Sequence, residues 1–237
     1  MSGMVKGLVG AVALGWGMAT SAAVISVDSV SGVWTSTIGG TNVIGVGTSE
    51  VRWGTGVSQG GFNQSGLLFE GFAPPAFPVD IDDQFDLGAL THFNFPIAGG
   101  SAAAGADLAL TVNLTVDGEA QSGVFSYQFL IEETPNVFPC PGFQQTGTPC
   151  DDRITFINLV SADSFVIDGD HYTIALQGFI VGDEFIDEFI TEENKASRAL
   201  LMASITKRTI DVPEPGTLAL LGLGLIGLGA RRMAKRG

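Results

Sequence analysis

The sequence predicts an all-β protein: a single antiparallel β-sandwich of jelly-roll type, flanked by an N-terminal signal peptide and a short C-terminal transmembrane helix. Three observations carry this. Short runs rich in Val, Ile, Thr and Phe recur along the body at the spacing of sandwich or barrel strands. Gly, Asn, Asp and Pro separate those runs, where the chain has to turn. One run, Leu108 to Val116, alternates apolar and polar residues strictly, the period of a strand with one buried face. The chain divides into a signal peptide (1–23), an exported domain (24–211) and a C-terminal signal (212–237), and the middle piece is long enough for one hydrophobic core.

At the N-terminus, Lys6 supplies a positive charge, Gly7 to Ala19 is apolar, and Ser21, Ala22 and Ala23 are small residues of the kind a signal peptidase reads. Cleavage is expected between Ala23 and Val24, and the leader is not part of the fold. GVWTSTI, Gly32 to Ile38, then Gly39-Gly40 and TNVIGV suggest a hairpin with a glycine turn. In THFN, a strand places Thr91, Phe93, Phe95 and Ile97 on one face and Leu90, His92, Asn94 and Pro96 on the other. The phenylalanines are expected to fill the core while His92 and Asn94 hydrogen-bond a neighbouring strand or turn. A competing use for His92 and Asn94 is to bind a sugar hydroxyl, with Trp53 or Trp34 as a stacking platform.

After the alternating run, Asp117-Gly118 turns the chain into GVFSYQFLIEE, the clearest hairpin in the sequence. RITFINLV, SFVI and HYTIALQGFIV continue the strands, with Asp168-Gly169-Asp170 as the last of these turns, and only Phe185 to Ala203 has a helical tendency. Cys140 and Cys150 are separated by nine residues, rich in Gly and Pro, in an exported chain that has no third thiol, so a disulfide closing a surface loop is expected. A zinc or redox role finds no support, since His92 and His171 are distant in sequence and a redox pair is usually tighter.

Charge narrows the functional classes. Between Val24 and Val212 there are 24 acidic residues and six basic ones, Arg52, Arg153, Lys195, Arg198, Lys207 and Arg208, a net charge of −18. Such a surface repels nucleic acid and anionic lipid. No cofactor and no metal site is expected. DIDDQFD, Asp80 to Asp86, gathers oxygen ligands that would suit Ca²⁺ but lacks the Gly and distal Glu of an EF-hand loop, and reads as solvated surface. There is no free cysteine and no G-x-S-x-G elbow. Glu132-Glu133, Asp151-Asp152 and the run Asp183 to Glu193 would make a glycosidase pair only if folding set two of them about 5–10 Å apart. The domain is therefore expected not to be an enzyme.

The C-terminal signal has three parts. Val212, Pro213, Glu214 and Pro215 form an extended, accessible peptide, because prolines do not continue a helix. Gly216 to Ala230 is an uncharged run of fifteen residues, about 22 Å as a helix, short for a bilayer core of about 30 Å. Arg231, Arg232, Lys235 and Arg236 follow and hold the tail on the cytoplasmic side, with their stems snorkelling to the headgroups.

This tripartite tail resembles the PEP-CTERM sorting signal of exported proteins from Gram-negative bacteria that make extracellular polysaccharide. The resemblance implies recognition by exosortase, an integral-membrane thiol enzyme, after a transient stay in the inner membrane. It places the protein on the outer surface of the envelope or in the exopolysaccharide (biofilm) matrix, as a non-enzymatic component or as a carbohydrate-binding module. A second resemblance covers Ser49 to Phe72 and Phe85 to Ile97. With Arg52-Trp53-Gly54, Leu87-Gly88 and the T-H-x-N of Thr91, His92 and Asn94, the segment is similar to the exported domains called PEP-CTERM THxN and choice-of-anchor K. That implies a β-rich fold and no particular activity.

Overall fold

The computed structural model describes residues 23–57, 63–143, 145, 149–158, 165–167 and 169–209. The signal peptide up to Ala22 and the whole C-terminal signal, with Val212, Pro213, Glu214, Pro215 and the expected transmembrane helix, lie outside these residues. Every regular element within them is a strand: β1 (Ile25–Gly39), β2 (Glu50–Trp53), β3 (Ser65–Gly71), β4 (Phe77–Val79), β5 (Gln84–Asn94), β6 (Ala103–Val116), β7 (Glu119–Glu132), β8 (Asp152–Asn158), β9 (Phe165–Ile167), β10 (Asp170–Val181), β11 (Glu184–Ile186), β12 (Phe189–Thr191) and β13 (Lys195–Thr209). One sheet has the order β12-β8-β7-β6-β1-β4, the other β11-β10-β13-β5-β3-β2 with β9 on β10, and the pairings are antiparallel. The chain passes repeatedly between the sheets, so strands distant in sequence become neighbours: β1 lies beside β6, and the last strand, β13, is inserted between β10 and β5.

The alternation in β6 sets the core. Leu108, Leu110, Val112, Leu114 and Val116 are buried and the residues between them are half-buried, so a register slip of one residue would turn the apolar set outward. Burying each such side chain contributes roughly 1.5–3 kcal/mol. Asp117 and Gly118 have φ of 50° and 86°, two left-handed residues as a two-residue hairpin turn requires, and Val116 pairs with Glu119 across it. Phe125, Tyr127 and Phe129 extend the inner face on β7, and the Tyr127 hydroxyl donates to the Ile174 carbonyl of the facing sheet at 2.8 Å. Burial pushes that phenol's pKa up.

Two local expectations fail. Gly39-Gly40 turns the chain, but TNVIGV does not return along β1; Ile44 forms an isolated bridge with Arg52, and β1 pairs with β6 and β4. Positive φ at Asn42, Gly45 and Gly47 breaks the extended backbone there, whereas β6 offers β1 an apolar partner along its full length. Phe185 to Ala203 is not helical: it forms β11, β12 and the first part of β13. The helix preference of its Glu, Lys, Leu, Met and Ala residues amounts to tenths of a kcal/mol each. Burial of Ala199, Leu201, Met202 and Ala203 in a central strand outweighs it.

Candidate functional site

At one end of the sandwich the interior changes from apolar to polar, and strand register explains why. Trp53 pairs with Ser65, and Asn94 with Lys195. The β3–β5 register, Gly66 with Phe93, continues by one residue to set Ser65 beside Asn94. On the facing sheet Glu132 pairs with Arg153, so Glu133 comes next to Asp152, and Asp152 pairs with Thr191. Two rows therefore face each other: Trp53, Ser65 and Asn94 from one sheet, and Glu133, Asp152 and Thr191 from the other. Glu133 is half-buried and the other five are buried. Buried Glu193, in the turn between β12 and β13, closes the end.

Thr191 ties the rows together. Its hydroxyl is 2.8 Å from His92 Nδ1, its carbonyl accepts from Asn94 Nδ2 at 3.0 Å, and its hydroxyl donates to the Asp152 carbonyl at 3.5 Å. The Thr191 hydroxyl thus lies between His92 Nδ1 and the Asp152 carbonyl and fixes the plane of the imidazole ring. Trp53 stacks against the His92 ring, centroids 6.4 Å apart. Asp152 Oδ1 accepts from the Thr134 backbone N–H at 2.8 Å, and Asn136 Nδ2 donates to Glu193 Oε2 at 2.8 Å. The segment bearing Thr134 and Asn136 is stapled in turn: Cys140 and Cys150 form a disulfide with Cα atoms 5.5 Å apart, and the Thr134 hydroxyl donates to the Cys150 carbonyl at 3.2 Å.

The hydrogen bonding is incomplete. Trp53 Nε1, His92 Nε2, Asn94 Oδ1, Glu133 Oε2, Asp152 Oδ2 and Glu193 Oε1 are buried without a hydrogen-bond partner among the described residues. Four of these are carboxyl or amide oxygens, one is the indole N–H and one is the second imidazole nitrogen. Burial pushes the Glu133 carboxyl up, and the negative Asp152 and Glu193 push it further, while the Trp53 indole and Ser65 hydroxyl pull it partly back. Asp152 is raised chiefly by burial, against the Thr134 N–H, and Glu193 is raised by burial against the Asn136 amide. Burial, aided by Arg52, takes His92 down to about 3, so it is neutral. The nearby cations serve the outside: Arg153 pairs with Glu132 and Glu188, and the Arg52 guanidinium lies 3.3 Å over the Phe93 ring. A cleft of about 420 Å³, lined by Ile97, Gly99, Glu133, Thr134 and Asn136, leads in from solvent.

His92, Asn94 and Trp53 are thus brought together, but each is 0% exposed, as is Trp34, whose indole donates to the Ser49 carbonyl. They form no exposed sugar platform. The face assignment of THFN is also inverted: Phe93 and Phe95 are on the outer side, and the polar pair points inward because Thr191 supplies its partners. Of DIDDQFD, Asp80 to Asp83 turn the chain between β4 and β5, with Asp82 at φ 66°, while Gln84, Phe85 and Asp86 open β5, with Phe85 buried in the core and Asp86 Oδ1 accepting from the Gly88 N–H. Among the described residues no three His, Cys, Asp or Glu side chains converge as a preformed metal cage. Of the acidic pairs, the fold gathers Glu133, Asp152 and Glu193. Ser65, Thr134 and Thr191 carry no signal in the sequence that would have marked them. Val24, expected to start the mature chain, donates its backbone N–H to Asp117 Oδ1 at 2.9 Å.

Residues 211–233 match the family described as the PEP-CTERM protein-sorting motif. No curated protein matches the chain.

Proposed function

We propose that this exported, exosortase-sorted protein is a non-enzymatic component of the cell surface or exopolysaccharide matrix, reached through a transient inner-membrane stage held by its C-terminal helix. The observation that carries the reading is the sorting motif at 211–233, with its apolar run and basic end. Catalysis is disfavoured on geometry. Asp152 is fully buried, so it cannot flank a glycosidic bond, and His92 is buried, neutral and engaged with Thr191. The test is fractionation of hosts that do and do not make the polysaccharide. The processed protein should co-sediment with polysaccharide in the first and appear free in the medium of the second. Equal distribution in both rejects the matrix assignment.

A carbohydrate-binding reading is favoured by one feature on the outer face. Phe93 and Phe95 lie side by side, ring centroids 6.5 Å apart, in a shallow groove of about 360 Å³ with Arg52, Asn63 and Gln64. Flat apolar rings beside amide and guanidinium donors suit a sugar face and its hydroxyls. Phe95→Ala should abolish polysaccharide co-sedimentation without lowering Tm; unchanged co-sedimentation rejects this groove.

A further inference from the structure

We propose that the polar end of the sandwich binds a hard divalent cation of the Ca²⁺ type between Glu133 and Asp152, with the Asn94 amide oxygen as a neutral third ligand. The β7–β8 register ends at Glu132 with Arg153, so Glu133, one residue past β7, comes beside Asp152 at the start of β8, and like charges so placed destabilise the sheet end unless something joins them. Each keeps one oxygen without a partner among the described residues, Oε2 of Glu133 and Oδ2 of Asp152.

Asn94 is the independent observation. It is 0% exposed, its Nδ2 is bound to the Thr191 carbonyl beside Asp152, and its Oδ1 has no partner among the described residues. Four buried oxygens without a partner among the described residues, on Asn94, Glu133, Asp152 and Glu193, gather at this end of the sandwich. The Trp53 indole and Ser65 hydroxyl act on Glu133, but both are neutral, and the cations Arg52 and Arg153 are committed on the outer faces. A cation supplies the charge.

The ligand set selects the kind of cation. All three oxygens are hard, and two carboxylates with one amide oxygen leave the remaining positions to water entering through the cleft at Glu133. Ca²⁺ tolerates such irregular, partly hydrated coordination, whereas Mg²⁺ demands a near-ideal octahedron. No third carboxylate converges on the pair, so Glu193 acts from outside, adding negative potential while Asn136 holds it. The cation would join β7 and β8 to β5 of the facing sheet, closing the end of the sandwich that backbone pairing leaves to side chains.

The test uses the exported, disulfide-bonded protein, melted at about pH 8 with EDTA, MgCl2 or CaCl2 to about 10 mM, the range of extracellular calcium modules. CaCl2 should raise Tm by about 5 °C or more, and MgCl2 by much less. Calorimetric titration with CaCl2 should show saturable binding at one site per chain. Glu133→Gln with Asp152→Asn should weaken CaCl2 binding at least tenfold, whereas Asp80→Asn with Asp83→Asn, on the exposed turn, should leave it unchanged. No CaCl2 response at about 10 mM overturns the proposal and assigns the site to protons alone. A response abolished by the Asp80 and Asp83 changes overturns it too. The CaCl2 and MgCl2 melts need only the wild-type chain, so the test stands even if the double variant does not fold.

Discussion

Asn94 donates from Nδ2 to the Thr191 carbonyl at 3.0 Å, and this bond runs from one sheet of the sandwich to the other. Two residues earlier, His92 makes a second cross-sheet contact to the same threonine through its hydroxyl. The T-H-x-N segment is therefore a clasp in which alternate residues of one strand grip a single residue of the facing sheet.

Removing the clasp should destabilise the domain. Thr191→Val keeps the shape and deletes the hydroxyl, leaving His92 Nδ1 buried and unpaired at a cost of about 1–3 kcal/mol. His92→Ala also opens a cavity beside Trp53 and should cost about 3 kcal/mol. Urea unfolding followed by tryptophan fluorescence measures both; an unchanged midpoint in either variant refutes the clasp.

Stability should depend on pH in a direction set by the buried acids. Glu133, Asp152 and Glu193 have folded pKa values above their unfolded ones, so their contribution is complete below about pH 4 and is lost as pH rises through the folded values. His92 runs the other way: its folded value is about 3 against 6.5, so its contribution is present above 6.5 and lost as pH falls. The two opposing slopes overlap in acid, and above about pH 6.5 only the carboxyls act. In EDTA, Tm should fall between about pH 6.5 and 8.5, and Asp152→Asn should flatten that limb. A Tm that rises over this range contradicts the raised values.

Loss of the disulfide should be felt at the site as well as in the loop. Replacing Cys140 and Cys150 by Ala should cost about 2–3 kcal/mol. It should also increase amide exchange at Thr134, whose N–H is held by Asp152 and whose hydroxyl is held by Cys150. Exchange unchanged at Thr134 would show that the staple and the polar end are independent.

Processing at the tail should depend on Glu214, and membrane retention on Gly216 to Arg236. Glu214→Ala should accumulate unprocessed in the inner membrane of a host with exosortase, and deletion of 216–237 should release the acidic domain in soluble form. Immunoblots of inner-membrane, outer-membrane and secreted fractions decide this. Identical size and distribution of Glu214→Ala and wild type, with and without exosortase, would mean a simple anchor.

The fold was legible where one physical signal dominated. The β6–β7 hairpin could be read because strict alternation and an Asp-Gly turn agree, and the disulfide because two cysteines had no competitor. The strand nature of Phe185 to Ala203 was hidden because it depends on a central place between β10 and β5, which is non-local. The site was half legible. His92, Asn94 and the acidic pairs stood out by residue type, but their meeting depends on registers between strands far apart in sequence. THFN was read inside out because apolar residues were assigned to the core; the polar pair takes that side only because Thr191 waits there, about a hundred residues on.

The insertion of β13 has a mechanical consequence. This strand ends at Thr209, two residues before the matched sorting motif begins at residue 211, so tension applied to the C-terminal end enters the domain through a strand hydrogen-bonded on both sides. Antiparallel bonds lie across the strand direction. A pull along β13 therefore loads its pairings with β10 and β5 together, in shear, where a pull on an edge strand would part them one after another. A domain built this way resists being pulled open from its C-terminal end. In single-molecule extension, force applied through residue 209 should unfold the domain at a higher value than force applied through a handle placed on the edge strand β2.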